Sequence, residues 1–220
     1  MIVLGIETAT VICSVGVARD EQIIGEIRLA VKNIHAEVLA ASVHDLLALL
    51  NVPFTALDGI AVSVGPGSFT GLRIGLATAK GLAFSLSKPL MGIETLQAQA
   101  AAVASTDGFI VPVLRARQNE VYASRYLVTG NDLVQAQPAA VFSLTEFAKW
   151  LAPPAILCGN GVSMLAGAGL LDGQQDIEVI PETRCVLSGG KIAELGFRRL
   201  QRGEADDAAT LEPRYVQGFR

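Results

Sequence analysis

The chain has 220 residues and a mass of 23.0 kDa, which is enough for one large domain or two small lobes with cores of their own. Hydrophobic residues make up 51% and charged residues 17%, and this apolar balance indicates a surface that a partner covers. A net charge of −4 argues against a broad nucleic-acid-binding surface, and no apolar run reaches the roughly 18 residues that a membrane span needs.

The amino-terminal sequence and the cysteines indicate the compartment. The first residues carry no basic flank and no cleavage signal, so we expect a cytoplasmic protein. Cys13, Cys158 and Cys185 are widely spaced and lie mostly among apolar neighbours. This pattern predicts buried thiols rather than disulfides or a zinc site.

The first part of the chain predicts three strands in a meander, over residues 2–6, 12–18 and 23–29. The turn Glu7-Thr-Ala-Thr10 lies between the first two strands. Actin-like ATPases and sugar kinases place a phosphate-binding Asp-x-Gly-Thr hairpin here. This chain has Glu7 in place of the aspartate and Ala9 in place of the glycine, so the match is partial, and Glu7 and Thr8 are the candidate cofactor-binding residues.

Residues 35–50 predict an amphipathic helix, because apolar side chains recur at spacings of four, three and four. Two histidines on one face of a helix would indicate a metal site. His35 and His44 are nine residues apart, so they point to opposite sides and lie roughly 13 Å apart along the axis. Leu39 stands where a second histidine of such a pair would be. We therefore predict no metal ligands.

Residues 59–86 predict a strand, a tight turn and a helix. Glycines give the turn its freedom, and Ser68 or Thr70 can cap the first helical N–H groups. The turn can hold an anion at the helix N-terminus or serve only as a structural elbow. It lacks the ending of a P-loop, and Lys80 is too far along the helix to reach a phosphate. The motif-loop residues are Gly65, Pro66, Gly67, Ser68, Thr70 and Arg73.

The helix after this loop carries small residues at every fourth position, namely Gly71, Gly75, Ala79 and Ala83. They form one flat row along the helix, which lets another backbone approach closely. The helix is apolar nearly all round. It is either buried in its own domain or shared with a partner, and the sequence does not decide between the two.

The second half predicts paired strands over residues 110–114 and 120–126, with a third over 133–141. A helix is predicted over 143–151, where it begins with a capping box, and a strand over 155–158 follows. The remaining predicted elements are a helix over 163–171, a short strand over 178–181 and a helix over 190–203. The strand at 155–158 runs into Gly159-Asn-Gly161, where an actin-like fold places adenosine. Gly159 and Gly161 are therefore two further candidate cofactor-binding residues.

These residues together resemble the TsaB (YeaZ) family. The resemblance is carried by the Glu7–Thr10 turn, the helix from His35, the motif Gly65-Pro-Gly-Ser-Phe-Thr-Gly-Leu-Arg-Ile-Gly75 and the segment 92–96. It implies an α/β fold of the actin-like ATPase (ASKHA, ribonuclease H-like) type, with two related lobes that each hold a mixed sheet flanked by helices. We assign residues 1–106 to the first lobe and 107–220 to a smaller second lobe, whose tail is a candidate to cross back. Arg115 departs from the family, in which an acidic residue is usual.

The resemblance also implies a role. The family acts as the partner of the transferase TsaD in tRNA threonylcarbamoyladenosine modification, where it forms a heterodimer and, with TsaE, supports the transfer step. The expectation is a subunit without catalytic residues, metal or cofactor of its own. ATP or ADP would bind only at the interface with TsaD, and no stable direct contact with nucleic acid is expected.

We expect the helices 35–50 and 69–86 to lie side by side and to pair with matching helices of TsaD, or with a second copy when TsaD is absent. A bulky residue at Gly75 or Ala79 should then abolish TsaD binding and leave the fold intact. The predicted interface residues are His35, Leu39, Ser42, Leu46, Gly71, Gly75, Thr78, Ala79 and Leu82.

Two other functions compete with this one. The chain could be an actin-like ATPase or small-molecule phosphotransferase that uses Glu7 as its acid. It could also be a metal-dependent transferase or protease like TsaD itself. The residue Leu39 and the short chain argue against the metal enzyme.

Overall fold

A computed structural model of the chain describes residues 1–30, 35–104, 107–130 and 132–216. The chain forms two compact units. The first consists of Met1–Ala98 and Leu187–Arg214, and the second consists mainly of Gln99–Val186. The sequence analysis assigns 107–220 to the second lobe, with a tail that is a candidate to cross back. In the structure the whole of Leu187–Arg214, including the helix Gly189–Gln201, lies in the first unit.

The described residues form ten strands and six α-helices. The strands are β1 Ile2–Glu7, β2 Cys13–Arg19, β3 Gln22–Leu29, β4 Gly59–Gly65, β5 Leu90–Glu94, β6 Gly108–Arg115, β7 Glu120–Thr129, β8 Asp132–Ser143, β9 Ala155–Cys158 and β10 Ile177–Val179. The helices are α1 His35–Leu49, α2 Phe69–Leu86, α3 Thr95–Ala101, α4 Leu144–Trp150, α5 Val162–Gly167 and α6 Gly189–Gln201.

The first unit is built on a five-stranded mixed sheet in the order β3-β2-β1-β4-β5. The meander β1–β3 is antiparallel, and β4 and β5 continue parallel to β1. Side chains alternate between the two faces of a strand, so the sheet needs a cover on each side. Helices α1 and α2 cover the face that carries Leu4, Ile6 and Val62, while α6 covers the face that carries Val3 and Ala61.

The second unit repeats this topology. Its sheet has the order β10-β9-β6-β7-β8, with an antiparallel meander β6–β8 and two strands parallel to β6. Helices α4 and α5 occupy the same places in the chain as α1 and α2 do in the first unit. The prediction of two related lobes with mixed sheets is confirmed.

Local signals of the second unit explain the ends of its helices. Ser143 accepts a hydrogen bond from the Glu146 N–H and Glu146 bonds back to Ser143, which confirms the predicted capping box. Helix α5 ends at Gly167, earlier than the predicted end at residue 171. Gly169 takes a φ of +69°, and a glycine in this conformation is a common helix stop.

Two further sequence predictions can be compared with the structure. All three cysteines are buried and free, as predicted. Within the described ranges, no helix combines the length and apolar character that a bilayer crossing requires.

Candidate functional site

The turn after β1 is closed by its own hydrogen bonds. The Thr8 N–H donates to Ser63 Oγ at 3.4 Å, and the Ala9 N–H donates to Glu7 Oε1 at 2.5 Å. The Ile12 N–H donates to Thr10 Oγ1 at 3.2 Å. Three amides of this turn are therefore used inside the protein, at the place where the sequence analysis expects a phosphate-binding hairpin in an actin-like ATPase.

Glu7 is completely buried at the end of β1. Desolvation by burial raises the pKa of its carboxyl to about 7, against the smaller opposing effect of the bonds from Ala9 and Ser63. Its second oxygen, Oε2, has no hydrogen-bond partner among the described residues. A buried acid of this kind is largely protonated below neutral pH, unlike the ionised aspartate of a phosphate-binding hairpin.

The motif loop packs directly on this turn. The Ser68 N–H donates to the Ala9 carbonyl at 2.7 Å. A Cβ atom on Gly67 would lie 2.4 Å from the Ala9 oxygen, and one on Gly71 would lie 2.1 Å from the Thr8 oxygen. A Cβ on Gly75 would lie 2.2 Å from Thr8 Oγ1. Each distance is far below van der Waals contact, so the glycines are required by the close approach of helix and turn.

The start of α2 is fixed by its cap. Ser68 Oγ accepts a hydrogen bond from the Gly71 N–H at 3.2 Å, which confirms Ser68 as the predicted cap, while Thr70 is exposed. Pro66 is buried, and the Arg73 guanidinium lies 3.7 Å from the centre of the Phe69 ring. The geometry of the loop favours the structural elbow over the anion site.

The N-terminus of α6 is also occupied from within the first unit. The Glu26 carboxylate accepts hydrogen bonds from Ser14 Oγ at 2.6 Å and Ser188 Oγ at 2.7 Å. Ser14 Oγ accepts in turn from the Gly189 N–H at 3.0 Å. A helix N-terminus favours a negative charge, and here the protein supplies its own.

In the second unit, Arg115 lies over the predicted adenosine loop. Its backbone N–H donates to Asn160 Oδ1 at 2.9 Å, and its guanidinium donates to Asn160 O at 3.1 Å and Ser163 Oγ at 2.8 Å. The Gly161 N–H donates to Val113 O at 2.9 Å. Gly159 has a φ of +102° and approaches Val113 O so closely that a Cβ would lie 2.4 Å away. Both glycines thus serve the packing of the loop on β6.

Comparison with known proteins adds to this geometry. Residues 26–212 match the family described as TsaD, tRNA N6-adenosine threonylcarbamoyltransferase. The chain is 31% identical to the tRNA threonylcarbamoyladenosine biosynthesis protein TsaB of Bacillus subtilis over 99% of this chain and 94% of the relative. The chain belongs to the TsaB (YeaZ) family.

Solved structures agree with this assignment to the TsaB family. A Pseudomonas aeruginosa protein described as similar to the peptidase YeaZ matches with a TM-score of 0.82 and 25% identity, over 98% of this chain and 99% of that one. The activator of the 2-hydroxyisocaproyl-CoA dehydratase from Clostridium difficile matches in fold, with a TM-score of 0.54 and 8% identity over 94% and 99% of the two chains. The chain has an α/β actin-like fold, as predicted.

The residues that the sequence analysis assigned to a TsaD interface need correction. Seven of the nine are buried within the first unit itself. These are His35, Leu39, Ser42, Leu46, Gly71, Gly75 and Ala79. Thr78 and Leu82 are half-buried. The small-residue row faces the Thr8–Ala9 turn and the sheet. Its lack of long side chains lets the backbone of α2 approach the turn closely.

The exposed side of the two helices is formed by other residues of this TsaB-family chain. Phe84 is 87% exposed and Phe69 53% exposed on α2, and Leu49 is 75% exposed on α1. Between these apolar side chains, α2 exposes the small residues Ala77 and Gly81. The spacing of Phe69, Arg73, Ala77 and Phe84 places them away from the glycine row, and this helical pattern was the signal in the sequence for the exposed side.

The histidines are also placed by the structure. His35 is buried and its Nε2 lies 3.0 Å from Thr10 O, which joins α1 to the first turn. His44 is exposed beside Asp45. Leu39 is 1% exposed, and in the described part of the chain no three His, Cys, Asp or Glu side chains are grouped in a way that could hold a metal ion.

Proposed function

We propose that this chain serves tRNA threonylcarbamoyladenosine biosynthesis as a non-catalytic partner of TsaD. It forms a heterodimer with TsaD and, together with TsaE, supports the threonylcarbamoyl transfer complex. The biosynthetic role is supported by the name of the Bacillus subtilis relative, and the likeness of residues 26–212 to TsaD supports a pairing of related folds. A tRNA-modifying complex works in the cytoplasm, where we place this chain.

One observation carries the non-catalytic part of the proposal. The amides of Thr8 and Ala9 donate to Ser63 and Glu7, and the loop around Gly67 and Gly71 fills the space on the turn. A phosphate would have to displace these contacts, and it would meet the Glu7 carboxyl in the same place. We therefore place ATP or ADP only at the interface with TsaD.

A surface for the partner is available on the exposed side of α1 and α2, which we call the α1–α2 face. It consists of Ala41, Leu49, Phe69, Arg73, Ala77, Gly81 and Phe84. Large apolar side chains that stand out from a flat surface are typical anchors of protein interfaces. Exposed groups of this size on a chain with 51% hydrophobic residues support a covered surface. The same face can pair with a second copy when TsaD is absent.

Size-exclusion chromatography with light scattering tests the proposal. The chain is run alone, with TsaD, and with TsaD and TsaE. We expect a one-to-one complex with TsaD whose formation removes any self-association of the chain. Separate elution of the two proteins at concentrations of about 10 μM would refute the partnership.

A second candidate function is that of a phosphotransferase or ATPase based on Glu7. The unpartnered Oε2 atom favours it, because this oxygen can still accept a proton, or a hydrogen bond from a metal-bound water. Isothermal titration of the isolated chain with ATP and magnesium separates the two functions. We expect no sub-micromolar binding, and tight binding that is lost in Glu7→Gln would favour the enzyme.

A further inference from the structure

The segment Asp206–Arg214 lies along the edge of the first sheet, beside β5. The Asp206 N–H donates to Leu90 O at 2.8 Å, and the Gly92 N–H donates to Asp206 Oδ2 at 2.7 Å. Leu211 Cδ1 lies 3.1 Å from the position that a Cβ on Gly92 would take. These contacts cover the exposed edge of β5, which would otherwise offer free backbone groups to another chain.

The beginning of this segment is held firmly to α6. Arg199 donates from one guanidinium nitrogen to Asp206 Oδ2 at 2.7 Å and to Gly92 O at 2.8 Å. Both side chains of this ion pair are mostly buried, at 23% and 27% exposure. One arginine thus links the helix, the segment and the edge strand.

The end of the segment lies against the junction of β4 and the motif loop. The Arg214 N–H donates to Val64 O at 2.7 Å, and Arg214 O lies 2.6 Å from the position of a Cβ on Gly65, whose φ is +117°. The Arg214 guanidinium pairs with Glu94 at the end of β5, with exposures of 63% and 27%. Because exposed ion pairs contribute little stability, this end is held more weakly than the Asp206 end.

We propose that Asp206–Arg214 is a strap that fixes the motif loop, and with it the first turn of α2, through the Arg214–Glu94 ion pair. The strap ends at Gly65, only three residues before the Ser68 cap, so its release frees the loop from one side. Arg214, the last residue of the strap, contacts the carboxyl ends of β4 and β5 through Val64 and Glu94. As far as it concerns TsaD, this inference rests on the proposed function, because Phe69 and Arg73 of the first turn belong to the α1–α2 face.

A charge exchange in the full-length chain tests the strap. The variants are Arg214→Glu, Glu94→Arg and the double variant, and Arg19→Glu is a control with the same change in charge at an exposed site away from the strap. Amide hydrogen exchange of residues 67–72 is measured in the isolated chain. We expect each single variant to raise the exchange rate about threefold, and the double variant to restore most of the protection. Unchanged exchange in the single variants, or no restoration in the double variant, would overturn the proposal.

Affinity for TsaD is measured with the same four variants and with the unmodified chain. We expect the single variants to bind up to about threefold more weakly and the double variant to regain affinity, because a mobile first turn must be ordered on binding. Equal affinities would overturn the link between strap and partner. If the unmodified chain does not bind TsaD at all, the proposed function fails, and the exchange measurements still decide whether the strap holds the loop.

Discussion

The two units share one topology and close the loop after their fourth strand by different means. In the first unit, Gly67 and Gly71 bring the loop into direct contact with the Thr8–Ala9 turn. In the second unit, the Arg115 side chain reaches over the corresponding loop and bonds to Asn160 and Ser163. The backbone packing in the first unit leaves no room for a side chain at Gly67 or Gly71. The bridging side chain of Arg115 in the second unit can be truncated without creating a clash.

The helices of the two units differ in a related way. The helix that follows the loop has 18 residues in the first unit and 6 in the second. A long helix with one face packed against its own turn and sheet has another face left for a partner. The second unit keeps the topology with shorter helices at both corresponding places.

The largest expected effect comes from filling the packed face of α2. Gly71→Ala should reduce the free energy of unfolding by about 3 kcal/mol or more, because the new Cβ meets the rigid Thr8 carbonyl. Gly81→Ala on the same helix is the matched control, since no atom lies within 4 Å of its Cβ position. It should stabilise the protein by roughly 0.5–1 kcal/mol. Urea unfolding of both variants measures the difference, and similar values would contradict the packing argument.

The packing of α2 also corrects the expectation that bulky residues at Gly75 or Ala79 leave the fold intact. Gly75 packs against Thr8 Oγ1 and Ala79 is completely buried in the core of the first unit. Loss of TsaD binding in such variants would reflect damage to the fold, so they do not report on the interface.

The next effect concerns Glu7, in the turn beneath this packed face. Burial raises the pKa of Glu7 from 4.5 to about 7, so folding favours the protonated form. The stability that this group contributes is fully present below pH 4.5 and is lost as the pH rises to about 7. The total loss is about 3 kcal/mol.

Urea unfolding between pH 4 and pH 8 checks this dependence. Glu7→Gln cannot ionise, so the free energy of unfolding of the native chain should fall relative to that of the variant as the pH rises. Glu37→Gln, at an exposed position on α1, is the control. A constant difference between the native chain and Glu7→Gln at every pH would show that Glu7 does not titrate in this range.

A smaller effect is expected on the exposed face of α2. Phe84→Lys should weaken TsaD binding at least tenfold, about 1.4 kcal/mol, because it removes an apolar anchor. Unfolding should change by less than about 0.5 kcal/mol, since Phe84 is 87% exposed. Val134→Lys, at an apolar residue of β8 that is 56% exposed, is the control in the second unit and should bind normally. Unchanged binding of Phe84→Lys would exclude this part of the face.

The smallest effect tests the second unit. Arg115→Ala should cost about 1 kcal/mol of unfolding free energy, because two hydrogen bonds from an exposed guanidinium are lost and no clash is created. Arg117→Ala, two residues along the same turn, should be nearly neutral. A cost for Arg115→Ala as large as that of Gly71→Ala would remove the contrast between the two units.

The sequence predicted β1–β4, α1 and α2 of the first unit because their signals are local, whereas β5 and α3 were not among the predicted elements. Alternating apolar residues define β1–β3, helical periodicity defines α1, and Ser68 has the chemistry of a cap. The end of α5 was placed too late, since Gly167 and Gly169 interrupt a pattern that otherwise continues. The family could also be recognised from the motif at residues 65–75, which is a property of the sequence alone.

By itself, then, the sequence determined the order of most elements, the actin-like fold and the family, but it did not place α6 in the first unit. Only the tertiary structure decided that the row Gly71, Gly75 and Ala79 faces inward, and that Phe84 and Leu49 face outward. Helical periodicity states which residues share a face, but it does not state what covers that face. The decision came from the Thr8–Ala9 turn, which lies more than 60 positions earlier in the chain and packs where only glycine leaves room.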